Sequence, residues 1–118
     1  MKKAILAKPG ERLELIDFVD DLQYFYKYVE CRCIDIVYVK DYLLIVDDEG
    51  LLVDDPQVNV VASILYGHPI CGNVLIVKEG YNEEDEPTYE GLTDEDVEKF
   101  QASFMELIKK VKNLRGEK

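Results

Sequence analysis

No stretch of the chain holds the roughly 20 consecutive apolar residues that crossing a bilayer requires. Lys2 and Lys3 are followed by no apolar core of signal-peptide length, so no export signal is read. Cysteine is scarce, and Cys31, Cys33 and Cys71 make an odd set. Three thiols without an export signal argue for reduced cysteines in a cytosol, hence a cytoplasmic protein. Cys31 and Cys33 sit two apart, which on a strand points both side chains the same way. Together with Cys71 and His68 they would supply four soft ligands. The spacing is unlike a C-x-x-C knuckle, and no second pair exists, so no metal is expected. His68 is the only histidine, and Ser63 has no G-x-S-x-G context. A triad with Asp35 or Asp55 would need hydrogen-bond geometry that this spacing does not provide, so no catalytic residue is assigned. Gly67, Gly72 and Gly80 lack the Lys-Ser/Thr that completes a phosphate loop. Asp47-Asp48-Glu49-Gly50 lacks the alternating carboxylates of a calcium loop. No cofactor follows from these patterns.

Positive charge is also in short supply. Against 25 acidic residues stand 14 lysines and arginines, for a formal net charge of −11. The imbalance is local. Ten acidic residues lie between Glu79 and Glu98 with no Lys or Arg among them, and the rest of the chain is close to balanced. Binding to a nucleic-acid backbone rests on cations that neutralise phosphates, so direct nucleic-acid binding is not expected. An anionic membrane surface is disfavoured for the same reason.

What remains is ample material for one core. A chain of 118 residues with 47% hydrophobic residues forms one domain by size, and it needs no disulfide or metal to hold it. Lys3 to Ala7 and Leu13 to Ile16 read as a hairpin around a type II turn at Pro9-Gly10. Asp20 to Val29 reads as a helix with Leu22, Phe25, Tyr26 and Val29 on its apolar stripe and Tyr24 and Tyr28 on the outer side. Cys33 to Val39 and Leu43 to Val46 read as two strands in the middle of a sheet, joined at Lys40-Asp41. Gly50 is expected where a turn needs φ > 0, with Leu51 to Val53 as a short return strand.

Residues 59–77, NVVASILYGHPICGNVLIV, organise the chain. Asp55 and Pro56 read as N-cap and first residue of a helix over 56–66. Val58, Val61, Ala62 and Leu65 form its buried stripe, and Asn59, Ser63 and Tyr66 form a polar row. Gly67 suits the left-handed helix end and Pro69 stops continuation. Ile70 to Val77 follows as a buried strand. Next comes a polar loop, 79–91, expected to be mobile. Thr93 caps a last helix over 93–114, with Asp96 at the capping-box position and Leu92 and Val97 as a hydrophobic staple. Its stripe runs through Val97, Phe100, Phe104, Leu107, Val111 and Leu114, long enough to seal a weak homodimer if monomer contacts leave its end uncovered. The fold class is α+β: a single, mostly antiparallel sheet of five to six strands packed with two to three helices over 1–118.

The run N-x-x-A-S-x-x-Y-G-x-P-I-x-G-N from Asn59 to Asn73 resembles a motif of a family of small proteins from phages, plasmids and their bacterial hosts, the domain of unknown function numbered 3846. The K-A-I-L-A-K-P-G hairpin, the central D-D-E-G-L-L and the L-T-D-E-D-V-E-K-F segment fit the same family. Members often carry a Gly-Gly-Tyr-like step where this chain has Glu30-Cys31-Arg32-Cys33. The resemblance implies a compact α+β domain on mobile elements and no established chemistry.

Two functions are expected from these features. In the first, a non-enzymatic acidic binding protein engages a host protein, one with a basic nucleic-acid-binding groove, through Glu83, Glu84, Asp85, Glu86, Asp94 and Glu95. It would act as a nucleic-acid mimic or a counter-defence inhibitor. In the second, Asn59, Ser63, Tyr66, Gly67 and His68 line a site for a nucleotide-like small molecule, since amide, hydroxyl and aromatic groups on one face suit base or ribose recognition.

Overall fold

The opening turn starts the sheet. Lys8 C=O accepts from Glu11 N–H at 3.2 Å with Gly10 at φ 74°, as a type II turn with proline at its second position requires. It joins β1 (Lys2–Ala7) to β2 (Glu14–Phe18), which pair with Ala4 opposite Ile16. The structure, a computed structural model, describes residues 2–19, 21–40 and 42–114, with the side chains of 108 and 111–114 outside that description. After β2 come α1 (Leu22–Val29), β3 (Ile34–Val39), β4 (Tyr42–Asp47), α2 (Val60–Tyr66), β5 (Val74–Tyr81), β6 (Pro87–Glu90) and α3 (Asp94–Leu114).

All strand pairs are antiparallel, in the order β2-β1-β5-β4-β3. β5 is long enough to take two partners along one side: β1 opposite Val74 to Ile76, then β6 opposite Lys78 to Tyr81. Leu92 N–H donates to Lys3 C=O at 2.8 Å where the two meet. This is the expected α+β fold with six strands and three helices. Among the described residues no helix is long and apolar enough to cross a membrane.

Alternation along the strands builds a core on each face. Ala4, Leu6, Leu43, Ile45, Leu75 and Val77 face α1, which contributes Phe25 and Val29. Ile5, Leu44, Val46, Val74 and Ile76 face α2 and α3, which contribute Ala62 and Phe100. The Phe100 ring meets Tyr42 edge-on at 5.5 Å and stacks near Phe104 at 6.2 Å, so the first half of α3 closes that core. Thr93 and Asp96 cap α3 reciprocally, with Asp96 N–H donating to Thr93 Oγ1 and Thr93 N–H to Asp96 Oδ2.

Several boundaries differ from the sequence reading, each for a physical reason. β3 is an edge strand, not a central one, because β5 rather than β3 fills the position beside both β4 and β1. α2 begins at Val60 with Asn59 as its N-cap, not at Pro56. Residues 57 and 58 are instead spent on an antiparallel bridge, Val58 to Cys71, and on the bond from Gly72 N–H to Gln57 C=O at 2.9 Å. The same bridge delays the strand expected at Ile70, so β5 starts at Val74. The segment 79–91 is not an open loop. It holds the end of β5, a tight turn and β6. Leu51 to Val53 form no return strand and lie exposed. Gly50 needs no positive φ. A Cβ there would sit 2.5 Å from Cys71 C=O, so close backbone approach demands glycine. On α1, Leu22 is exposed, whereas Tyr24 and Tyr28 are half-buried against the core rather than outward. Asp20, Asp41 and the side chains of Val111 and Leu114, with the dimer seam expected of them, lie outside the described residues.

Candidate functional site

The organising motif resolves into a clamp on backbone groups. Asn59 is 1% exposed. Its Oδ1 accepts from Ala62 N–H at 3.1 Å as an N-cap, while Nδ2 donates to Ala7 C=O and Gly72 C=O, each at 2.9 Å. One amide therefore ties β1, α2 and the 70–73 loop together. Ser63 acts on the next turn of α2. Its Oγ accepts from Ile70 N–H at 2.9 Å and donates to Ile70 C=O at 3.2 Å, a carbonyl that also takes Asn59 N–H at 2.8 Å. Asn73 closes the set, donating from Nδ2 to Tyr28 C=O at 3.1 Å and to Glu30 Oε2 at 2.7 Å. Glu30 itself adopts the left-handed conformation, φ 58° and ψ 55°, at the end of α1. That conformation is one glycine adopts freely, and here a glutamate holds it with its carboxylate bonded across to β5's entry.

The five residues expected to line a small-ligand site are accordingly divided. Asn59 and Ser63 turn inward and spend their polar atoms on backbone partners. Tyr66, Gly67 and His68 are exposed, with the two rings 5.1 Å apart and Gly67 as the left-handed cap of α2. Tyr66 faces a separate cleft of about 190 Å³ shared with Val46, Leu51, Ile70, Asp47 and Asp48.

The acidic candidates divide as well. Glu83, Glu84, Asp85 and Glu86 occupy the tip of the β5–β6 hairpin and are all exposed. Asn82 organises that tip: its Oδ1 accepts from Glu84 N–H at 2.9 Å and Glu86 N–H at 3.0 Å. Asn82 N–H donates to Glu86 C=O and Asp85 N–H to Asn82 C=O, both at 3.0 Å, with Asp85 at φ 61°. Among the described residues no ion pair involves these four carboxylates. Tyr81 stands exposed beside them, its hydroxyl donating to Glu79 Oε1 at 2.8 Å.

Asp94 and Glu95 sit beyond β6, about 13 Å of strand away, in the first turn of α3. There they complement the helix dipole, and Glu95 pairs with Lys99 at 3.0 Å. Their neighbour Asp96 is held below the ordinary carboxylate range by the Thr93 N–H first, then by Lys78, whose ammonium lies 3.1 Å away.

A further cleft, of about 400 Å³, is one that sequence reasoning missed. Glu30, Cys31, Arg32, Asp47, Leu52 and Asp54 are among its walls. Burial, with Asp47 next in effect, pushes the Cys31 thiol up to about 11, so it resists ionisation. The only signal in the sequence was the apolar Leu51 to Val53 run between two carboxylate pairs, which read as a strand.

No curated protein and no solved structure matches the chain. A model of the family described as Domain of unknown function (DUF3846) matches residues 1–105, and the chain belongs to that family.

Proposed function

We propose that this protein is a non-enzymatic binding protein that engages a partner with a basic surface through its acidic hairpin. The observation that carries the reading is the Asn82–Glu86 tip. Four consecutive carboxylates project from a turn whose backbone is fixed by four hydrogen bonds, with no intramolecular cation beside them among the described residues. Like charges held this close repel one another, which disfavours the tip on its own. A cationic partner would turn that repulsion into attraction, and the preformed turn would spare the partner the entropy of ordering it. A groove that binds nucleic acid offers the required row of Lys and Arg. The chain would then act as a nucleic-acid mimic on a host protein, and as a counter-defence inhibitor where that host protein serves defence. The nucleotide-like reading loses support because Asn59 and Ser63 are engaged by backbone.

The test compares capture from host extract by the wild type and by a variant carrying Glu83→Gln, Glu84→Gln, Asp85→Asn and Glu86→Gln. Asparagine tolerates the left-handed backbone at position 85, so the turn should survive. A partner held by the tip is lost in the variant and released as salt shortens the Debye length from about 10 Å at 0.1 M to about 3 Å at 1 M. Equal capture by both proteins overturns the proposal.

A further inference from the structure

We infer a second docking surface, at the opposite end of β5 from the hairpin, that takes a cationic amphipathic segment of a partner protein. β4 delivers Asp47 to the end of the sheet where β5 begins, whereas the acidic tip follows Tyr81. The eight residues of β5, seven steps or about 23 Å, separate the two ends. The proposal therefore stands on different residues from the acidic hairpin.

Three observations define the surface. Leu51, Leu52 and Val53 are 61%, 79% and 49% exposed, three consecutive large apolar residues with no core to cover them. They cannot fold inward. Gly50 is pressed against Cys71 C=O, Glu49 C=O accepts from Leu52 N–H at 2.9 Å, and Asp47 Oδ1 accepts from Glu49 N–H at 2.8 Å, which together push the run outward. Val58, at the end of the same loop, and Val60, which opens α2, are also exposed, and Val58 is bridged to Cys71.

The ridge has a cleft on each side, and the two share Asp47. The larger, about 400 Å³, presents the carboxylates of Glu30, Asp47, Glu49 and Asp54. The smaller, about 190 Å³, sets Val46, Leu51 and Ile70 beside the carboxylates of Asp35, Asp47 and Asp48. Arg32 is the cation among the residues lining the larger cleft, and it is already paired with Glu49 at 3.1 Å. An apolar ridge flanked by two clefts that both carry carboxylates, the smaller with apolar walls beside them, complements a segment with Lys or Arg on one face and large apolar side chains on the next. Charge sets which partner approaches, and Leu52 supplies the desolvated anchor. A helix carrying those two faces fits the two clefts, the helix-in-groove mode of recognition.

The test uses a short synthetic helix of leucine and lysine, the two residue types on opposite faces, titrated into isotope-labelled protein. Amide shifts are expected to cluster at residues 47–60 and 69–72. Leu52→Ser should weaken binding by at least about tenfold, since truncating an interface anchor has effects of that size. Leu52 is exposed, so circular dichroism should report an unchanged fold. Asp48→Asn with Asp54→Asn should weaken binding and flatten its salt dependence. The fourfold neutralised hairpin should bind within about threefold of wild type, because its charges lie beyond two Debye lengths at 0.15 M salt. Shifts clustered on 82–86, or a Leu52→Ser variant that binds like wild type, would reduce the attraction to general acidity and overturn the inference. It is equally overturned if wild type self-associates in sedimentation and Leu52→Ser abolishes that, because the occupant is then a second copy. Loss of hairpin-dependent capture with this surface intact would affect only the earlier proposal.

Discussion

Replacing Asn59 by alanine should be among the most damaging polar substitutions in this chain. The side chain satisfies three backbone groups, the buried Ala7 C=O and Ala62 N–H and the half-buried Gly72 C=O, at 2.9 to 3.1 Å. Losing the helix cap costs about 1 kcal/mol. The buried Ala7 C=O left without its amide donor costs about 1–3 kcal/mol, and the half-buried Gly72 C=O up to about 1 kcal/mol, because water can reach it. The sum, about 2–5 kcal/mol, is a large share of the 5–15 kcal/mol that typically stabilises a domain. Tm should fall by roughly 6–20 °C. Urea unfolding followed by circular dichroism measures the loss, with an unchanged m-value identifying it as native-state destabilisation. Asn59→Asp sharpens the reasoning. It keeps the capping oxygen but turns the donor into a charged oxygen facing two carbonyls. Its carboxyl pKa must rise on folding, so stability should fall as pH climbs above the unfolded value near 4 and recover on acidification. A loss under about 1 kcal/mol for Asn59→Ala, within the range of an ordinary surface substitution, would refute the clamp.

Three further outcomes are expected. Gly50→Ala should cost about 1–3 kcal/mol in urea unfolding, because its Cβ would meet the Cys71 carbonyl oxygen at 2.5 Å; a neutral result would mean the 70–72 loop is free to shift. Asp96→Asn should lose about 1 kcal/mol at neutral pH through the weakened capping box. The Asp96 carboxyl titrates lower when folded, so its stabilisation is present above the unfolded pKa near 4 and vanishes as pH falls through the folded value; the Asn variant should therefore show a flatter acid limb, and parallel limbs would contradict this. Alkylation at pH 8 followed by mass spectrometry should modify exposed Cys33 well before Cys31, whose thiol is pushed up to about 11; Cys31 reacting first would overturn the account of the cleft.

The sequence was most readable where one local signal had no competitor. Thr93 and Asp96 with flanking Leu92 and Val97 fixed the start of α3, and Pro9-Gly10 fixed the first turn. It misled where two signals competed. Asp55-Pro56 and Asn59 are both good helix starts, and the choice between them is made by the bridge from Val58 to Cys71, a contact between segments that local pattern cannot reveal. The polar row of α2 had the same difficulty. Asn59 and Ser63 read as outward-facing because polar, yet their partners are carbonyls and an amide brought in from β1 and the 70–73 loop. The 82–87 stretch of the polar loop read as unstructured because it is made of Asn, acidic residues and a proline. It is a hairpin because Asn82 supplies the turn and β6 finds the part of β5 that β1 leaves unpaired. Acidity itself was legible throughout. Its division among the hairpin tip, the start of α3 and the 47–55 loop was not, since that depends on which strand ends meet.

The central claim is that the 59–73 motif builds the fold while the hairpin tip binds. One crossed measurement tests it: equilibrium affinity and association rate of a captured partner for Asn59→Ala and for the fourfold neutralised tip, at a temperature where circular dichroism shows both variants folded. The account predicts that Asn59→Ala binds within about threefold of wild type, as a residue acting only on stability should. It predicts that the neutralised tip loses at least about tenfold in affinity at low salt, mostly through slower association. Loss of binding in folded Asn59→Ala, with binding retained by the neutralised tip, would contradict the claim and move the site to the α2 segment.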